Sequence, residues 1–231
     1  LFRSGSEGDW LTAGIPEQAQ YAAAAVSALR SRVPDGPLGL FGHSQGGWVV
    51  LEAAELCGAD WIITNSGPAV TPLQQETFST AATLRSAGDD EAQVAAGMQL
   101  ALEIWRQAVS GVSYTEFEHW STGRHAEIDR LADLGVFIPA DAMMWGLLAA
   151  IGDYDPRGRL AQLTVPLLAL FGSDDDVVPV ADCVDVLESV VRRELLNLSV
   201  IPGGDHRLQL PDETFAPGYF TAISAFLDGF V

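Results

Sequence analysis

The sequence predicts an α/β fold on a parallel sheet, and three observations carry that reading. Short apolar runs recur at 38–41, 61–64, 165–171 and 195–201, each closed by glycine or by a Gly/Pro-containing turn. Segments with apolar residues at helical spacing stand beside them, and strands alternating with helices imply parallel pairing. A long stretch from 71 to 153 is helical throughout and interrupts the alternation. It reads as a cap inserted between two halves of one core, which divides the chain into 1–70, 71–153 and 154–231.

The elements follow in order. Gly5, Gly8 and Gly14 give the first fourteen residues a turn-like character. A helix is expected after Pro16, with Ala22, Val26, Leu29 and Val33 inward, and Pro34, Gly36 and Pro37 end it. A short strand over 38–41 leads to a helix starting near Gln45, with Val50, Ala53, Ala54 and Cys57 on one face. The strand at 61–64 ends in "NSGPAV". In the helical block, Val94, Met98, Leu102, Trp105 and Val109 form one stripe. Ile128, Leu131 and Leu134 form a second, and Met143, Leu147, Leu148 and Ile151 a third. These are core stripes by their spacing. A strand at 165–171 precedes a helix after Pro179 that turns Val180, Val184, Leu187 and Val191 inward. The strand at 195–201 stops at "PGGDH", and the last helix, about 218–230, is expected to bury Phe220, Ile223, Leu227 and Phe230.

Composition narrows the function. Of 231 residues 48% are hydrophobic, enough for a sizeable core, and 19% are charged. The formal net charge is −19, and arginine supplies all twelve basic side chains. Such a surface repels phosphate backbones, so nucleic acid is not an expected partner. The acidic balance is read as coding bias or a solubility adaptation rather than as an attractor of cationic substrates. Cys57 and Cys183 lie in apolar, helix-like contexts and are expected to be buried free thiols, with no metal site. No stretch is long and apolar enough to span a bilayer. No signal peptide is visible, and the cytoplasm is the expected location.

The chemistry centres on "LFGHSQGGWVV", from Leu40 to Val50. Gly42, Ser44 and Gly46 fit G-x-S-x-G, between a predicted strand and a predicted helix. That setting strains the turn and pushes the serine hydroxyl out above the sheet. Glycine is expected on both sides because side chains there would crowd the turn. The helix start directs backbone N–H groups at the site, with the N–H of Gln45 the first donor to an oxyanion. A serine nucleophile needs a base, and the base a carboxylate. His43 should point away from Ser44, and His119 and His125 lie in the helical block. His206 follows the last strand, in a Gly-Gly-Asp-His loop at its carboxyl end, where open α/β folds build their sites. Asp174, Asp175 and Asp176 follow the preceding strand and all offer the carboxylate.

Gly42-His43-Ser44-Gln45-Gly46-Gly47, Gly172-x-x-Asp175-x-x-Val178-Pro179 and Pro202-Gly203-Gly204-Asp205-His206 together resemble α/β-hydrolase fold serine hydrolases. Within them the chain resembles bacterial esterases related to the prolyl-oligopeptidase group, to which "SGPAV" and "YDP" are also similar. The family acid stands four positions before the proline, so the resemblance selects Asp175. It implies an α/β-hydrolase core with an inserted all-helical cap and a Ser44–His206–Asp175 triad. The implied reaction is hydrolysis of small-molecule carboxylic esters through an acyl-serine, without cofactor. The same triad serves peptidases, thioesterases and acyltransferases. The family also places several strands before the nucleophile strand, whereas 41 residues precede Gly42 here. The resemblance therefore implies an amino-terminally truncated hydrolase lacking the early strands and the second oxyanion donor, and a non-catalytic remnant is the remaining reading.

Overall fold

The computed structural model describes residues 12–33 and 36–230. The turn-like start up to residue 11 and the stop at Pro34 lie outside them. Helix α1 (Ile15–Arg30) leads to strand β1 (Gly39–His43), helix α2 (Gln45–Cys57) and strand β2 (Trp61–Asn65). Five helices follow: α3 (Pro72–Ser86), α4 (Glu91–Val109), α5 (Tyr114–Ser121), α6 (His125–Asp133) and α7 (Ala142–Ile151). The short α8 (Arg157–Ala161) then opens the second run, with β3 (Leu167–Gly172), α9 (Val180–Val190), β4 (Leu196–Ile201) and α10 (Tyr219–Leu227). The strands form one parallel sheet in the order β1-β2-β3-β4.

Strand periodicity assigns each side chain to a face. Ile62, Leu167, Ala169 and Phe171 pack with Ala19 and Val26 of α1, Leu51 and Ala54 of α2, and Cys183 and Leu187 of α9. Ile63, Leu168 and Leu170 turn the other way, onto Tyr219, Ile223 and Phe226 of α10. β3 is buried on both faces, which is why it reads as an unbroken apolar run. Among the described residues β1 pairs on one side only, and Phe41 is half exposed there.

The block between β2 and β3 is helical, with local signals for its helix starts. Thr71 with Gln74, Asp90 with Gln93 and Ser113 with Glu116 form capping boxes at α3, α4 and α5. In each, the two residues satisfy one another's backbone N–H groups. Leu84, Val94, Leu131 and Val136 join α3, α4 and α6. Ile104, Phe117, Trp145 and Leu148 join α4, α5 and α7, with the rings of Phe117 and Trp145 stacked 4.5 Å apart.

Several stripe ends differ from expectation. Leu29 and Val33 are exposed, because the inward position one turn after Val26 belongs to Arg30. Its guanidinium reaches Asp60 and the carbonyls of Gly36 and Gly58. Met143 and Phe220 are also exposed. On α7 the buried positions are Trp145, Leu147 and Leu148, and on α10 the seam is shifted by one residue to Tyr219. Cys183 is buried as expected, but Cys57 lies at the end of α2 and is only partly so; both are free thiols.

Candidate active site

Ser44 sits between the end of β1 and the first turn of α2 with φ 52° and ψ −127°. Positive φ is strained for a residue with a Cβ, and two features hold it. The Ser44 N–H continues the sheet ladder to the carbonyl of Asn65 at 3.0 Å, and the Gly47 N–H returns to the Ser44 carbonyl at 2.7 Å. The chain folds back so tightly that a Cβ on Gly42 would lie 2.2 Å from the Gly46 carbonyl oxygen. The expectation that Gly46 is equally crowded is not met, since a Cβ there has nothing within 4 Å. The crowded partner is Gly47, whose Cβ would lie 2.5 Å from Gly67 Cα. Gln45, at the first position of α2, has a backbone N–H with no preceding helical carbonyl to accept it.

The loops after β3 and β4 bring Asp175 and His206 together. His206 Nδ1 lies 2.9 Å from Oδ2 and 3.1 Å from Oδ1 of Asp175. A carboxylate only accepts, so Nδ1 carries the proton and Nε2 of the neutral ring is left with its lone pair. Asp175 is 6% exposed and also accepts from the N–H groups of Val177 and Val178, both at 2.9 Å. Burial pushes its pKa upward, but the hydrogen bond and charge of His206 and those two N–H groups outweigh it and hold the carboxyl below the ordinary aspartate value. The other two acids do different things. Asp174 is exposed and accepts from the Ser173 hydroxyl, and Asp176 is exposed. Asp205 shapes the histidine loop by accepting from the N–H groups of Arg207 and Gln209. His119 and His125 are exposed on the helical block.

Two residues outside the triad fasten segments around the site. His43 is engaged by the histidine loop. Its Nε2 donates to the backbone carbonyl of His206 at 3.1 Å, with the two rings 5.0 Å apart. This bond ties the strand carrying Ser44 to the loop carrying His206. Among the described residues no hydrogen bond joins Ser44 Oγ to the His206 ring. Tyr154, of "YDP", donates its hydroxyl to Glu52 on α2 at 3.0 Å, beside Trp48. Arg159 also reaches Glu52 and Glu55, so the chain leaving the helical block is fastened to the helix behind Ser44. Only the motif resemblance pointed to Tyr154, and adjacency to the serine was the available signal for His43.

A pocket of about 160 Å³ opens beside Ser44 and Gln45. Trp48 lines it from α2, Trp105, Phe137, Leu147 and Leu148 come from the helical block, and Glu76 is its acidic member. Among the described residues no group of three or more His, Cys, Asp or Glu is placed to hold a metal ion, and no helix is long and apolar enough to cross a membrane.

No family model matches the chain, and no curated protein matches it. Solved structures do. A lipase-esterase related protein of Clostridium acetobutylicum is 14% identical, with TM-score 0.54 over 100% of this chain and 80% of that one. The esterase RhEst1 of Rhodococcus sp. ECU1013 is 18% identical, with TM-score 0.51 over 95% and 75%. A proline iminopeptidase of Mycobacterium smegmatis is 20% identical, with TM-score 0.52 over 92% and 72%. The parallel sheet, the helices on its two faces and these neighbours together show that the chain has the α/β-hydrolase fold.

Proposed function

We propose that this protein is a serine hydrolase that cleaves carboxylic esters through an acyl-serine intermediate. The observation that carries the reading is the buried Asp175 carboxylate on Nδ1 of His206, in a loop tied by His43 to the strained turn bearing Ser44. Ser44 Oγ attacks the acyl carbon while His206 Nε2 takes its proton. The carbonyl π electrons move to oxygen, and the N–H of Gln45 donates to the resulting oxyanion. Collapse expels the alcohol, which receives the proton from His206. Water, deprotonated by the same nitrogen, then releases the carboxylic acid and restores Ser44. Asp175 keeps the ring in the tautomer that leaves Nε2 basic and stabilises the imidazolium.

In this reading the helices of 71–153 roof the site, and the pocket beside Ser44 receives the acyl group. Its volume of about 160 Å³ is close to that of a cavity holding one benzene molecule, which fits a short or compact acyl chain. The test is hydrolysis of p-nitrophenyl acetate before and after Ser44→Ala, with fluorophosphonate labelling alongside. The variant is expected to lose about six orders of magnitude in kcat and to take no label. Unchanged turnover would remove Ser44 from the mechanism.

A further inference from the structure

Glu76, on α3, lines the pocket that contains Ser44 and also borders a smaller hollow formed with Leu73, Thr80, Met98 and Trp105. Burial among these residues raises its pKa above the ordinary glutamate value. The Thr80 hydroxyl, at 3.2 Å, and the Phe137 N–H oppose that rise without cancelling it. Both partners are neutral donors. Among the described residues no arginine pairs with Glu76, and the chain has no lysine. Comparable acids do have cations: Glu52 has Arg159 and Asp89 has Arg130. A carboxyl so placed is costly unless a partner completes it.

We propose that Glu76 recognises a protonated amine on the acyl part of the substrate, so that the site prefers aminoacyl esters to their unsubstituted counterparts. Two points single out an ammonium group. The protein already supplies donors to Glu76, so the carboxyl is arranged to accept. A cation is the one ligand class that also offsets its charge. The pocket admits an amine on a branched five-carbon chain by volume. Glu76 makes and breaks no covalent bond here; it positions the acyl group while Ser44 does the chemistry. The bond cleaved rests on the serine-hydrolase reading, whereas the amine preference can be measured without it.

The experiment has a binding arm and a turnover arm. Isopentylammonium and isopentanol are titrated into the wild-type protein near neutral pH, with calorimetry or the fluorescence of Trp48 and Trp105 as readout. The amine is expected to bind about ten- to a hundredfold more tightly, the range of a hydrogen bond to a charged group, and Glu76→Gln to bring that ratio near one. Glutamine keeps the size and an acceptor for Thr80. In the second arm, kcat/KM is compared for L-leucine methyl ester, methyl 4-methylpentanoate and methyl 2-hydroxy-4-methylpentanoate. The amine-to-unsubstituted ratio should fall at least tenfold in Glu76→Gln, which removes the greater intrinsic reactivity of amino esters from the comparison. Equal binding of amine and alcohol by the wild type, an unchanged ratio in the variant, or a hydroxy ester preferred as strongly as the amino ester would each overturn the proposal. Amine selectivity with ester turnover unaffected by Ser44→Ala would instead overturn the serine reading and leave Glu76 in place.

Discussion

Replacing Gly42 and Gly46 by alanine, one at a time, separates the G-x-S-x-G pattern from the geometry beneath it. An alanine at 42 would put Cβ 2.2 Å from the carbonyl oxygen and 2.5 Å from the carbonyl carbon of Gly46, and 2.8 Å from Val50 Cγ2. Two of those atoms are backbone of the turn that holds Ser44 at positive φ, so they cannot yield without moving the elbow. Overpacking of this kind costs about 1–3 kcal/mol. In a chain of this size each kcal/mol lowers Tm by about 2–4 °C, so Gly42→Ala should melt about 2–12 °C lower. Gly46 is the contrasting case. It lies in the first turn of α2 with nothing within 4 Å of a Cβ, and its φ is not in the left-handed region. Removing a flexible glycine from a compatible helical position stabilises by about 0.4–1 kcal/mol, so Gly46→Ala should melt up to about 4 °C higher. Circular dichroism at 222 nm measures both. Equal destabilisation by the two variants, or a neutral Gly42→Ala, would refute the argument from close approach.

Three further outcomes follow from the site. Asp175→Asn should lower kcat by about four orders of magnitude by losing control of the His206 tautomer, checked by ester turnover. Because the Asp175 pKa is lowered in the fold, its stabilisation is present above the ordinary value of about 3.9 and is lost as pH falls through the lowered one. The Tm gap between wild type and this variant should therefore narrow from pH 6 to pH 3. His43→Ala removes one hydrogen bond, worth about 0.5–1.5 kcal/mol, from the link to the His206 loop. It should lower kcat several-fold with KM unchanged; a change in KM alone would deny His43 a positioning role. Glu76→Gln should raise Tm relative to wild type at pH 8 and give the smallest gain at pH 4. The raised glutamate pKa means stability is fully present below the ordinary value of about 4.3 and lost as pH rises through the folded one.

Strand and helix order was legible because it depends on periodicity within a few residues. β3 announces itself as an apolar run because helices cover both its faces, and the helices at Pro72, Glu91 and Tyr114 carry their capping residues beside them. The seams were less legible at helix ends. Leu29 is as apolar as Val26, but Arg30 takes the inward position because Asp60 and two carbonyls lie within its reach. In the same way Tyr219 is buried and Phe220 is not, since Tyr219 is the ring that packs on Ile63, Leu168 and Leu170 of the sheet.

The sequence alone determined the alternation of elements, the serine turn and the supply of an acid and a histidine after successive strands, because each is written in spacing along the chain. Among Asp174, Asp175 and Asp176 the chemistry left three equivalent choices, and the resemblance selected one. Tertiary structure placed Asp175 against His206, turned His43 to the His206 carbonyl, moved the crowded glycine from 46 to 47 and left Glu76 half-buried with no arginine paired to it among the described residues. These outcomes depend on which distant segments meet. Proximity and desolvation are properties of packed layers, and local sequence carries no record of them.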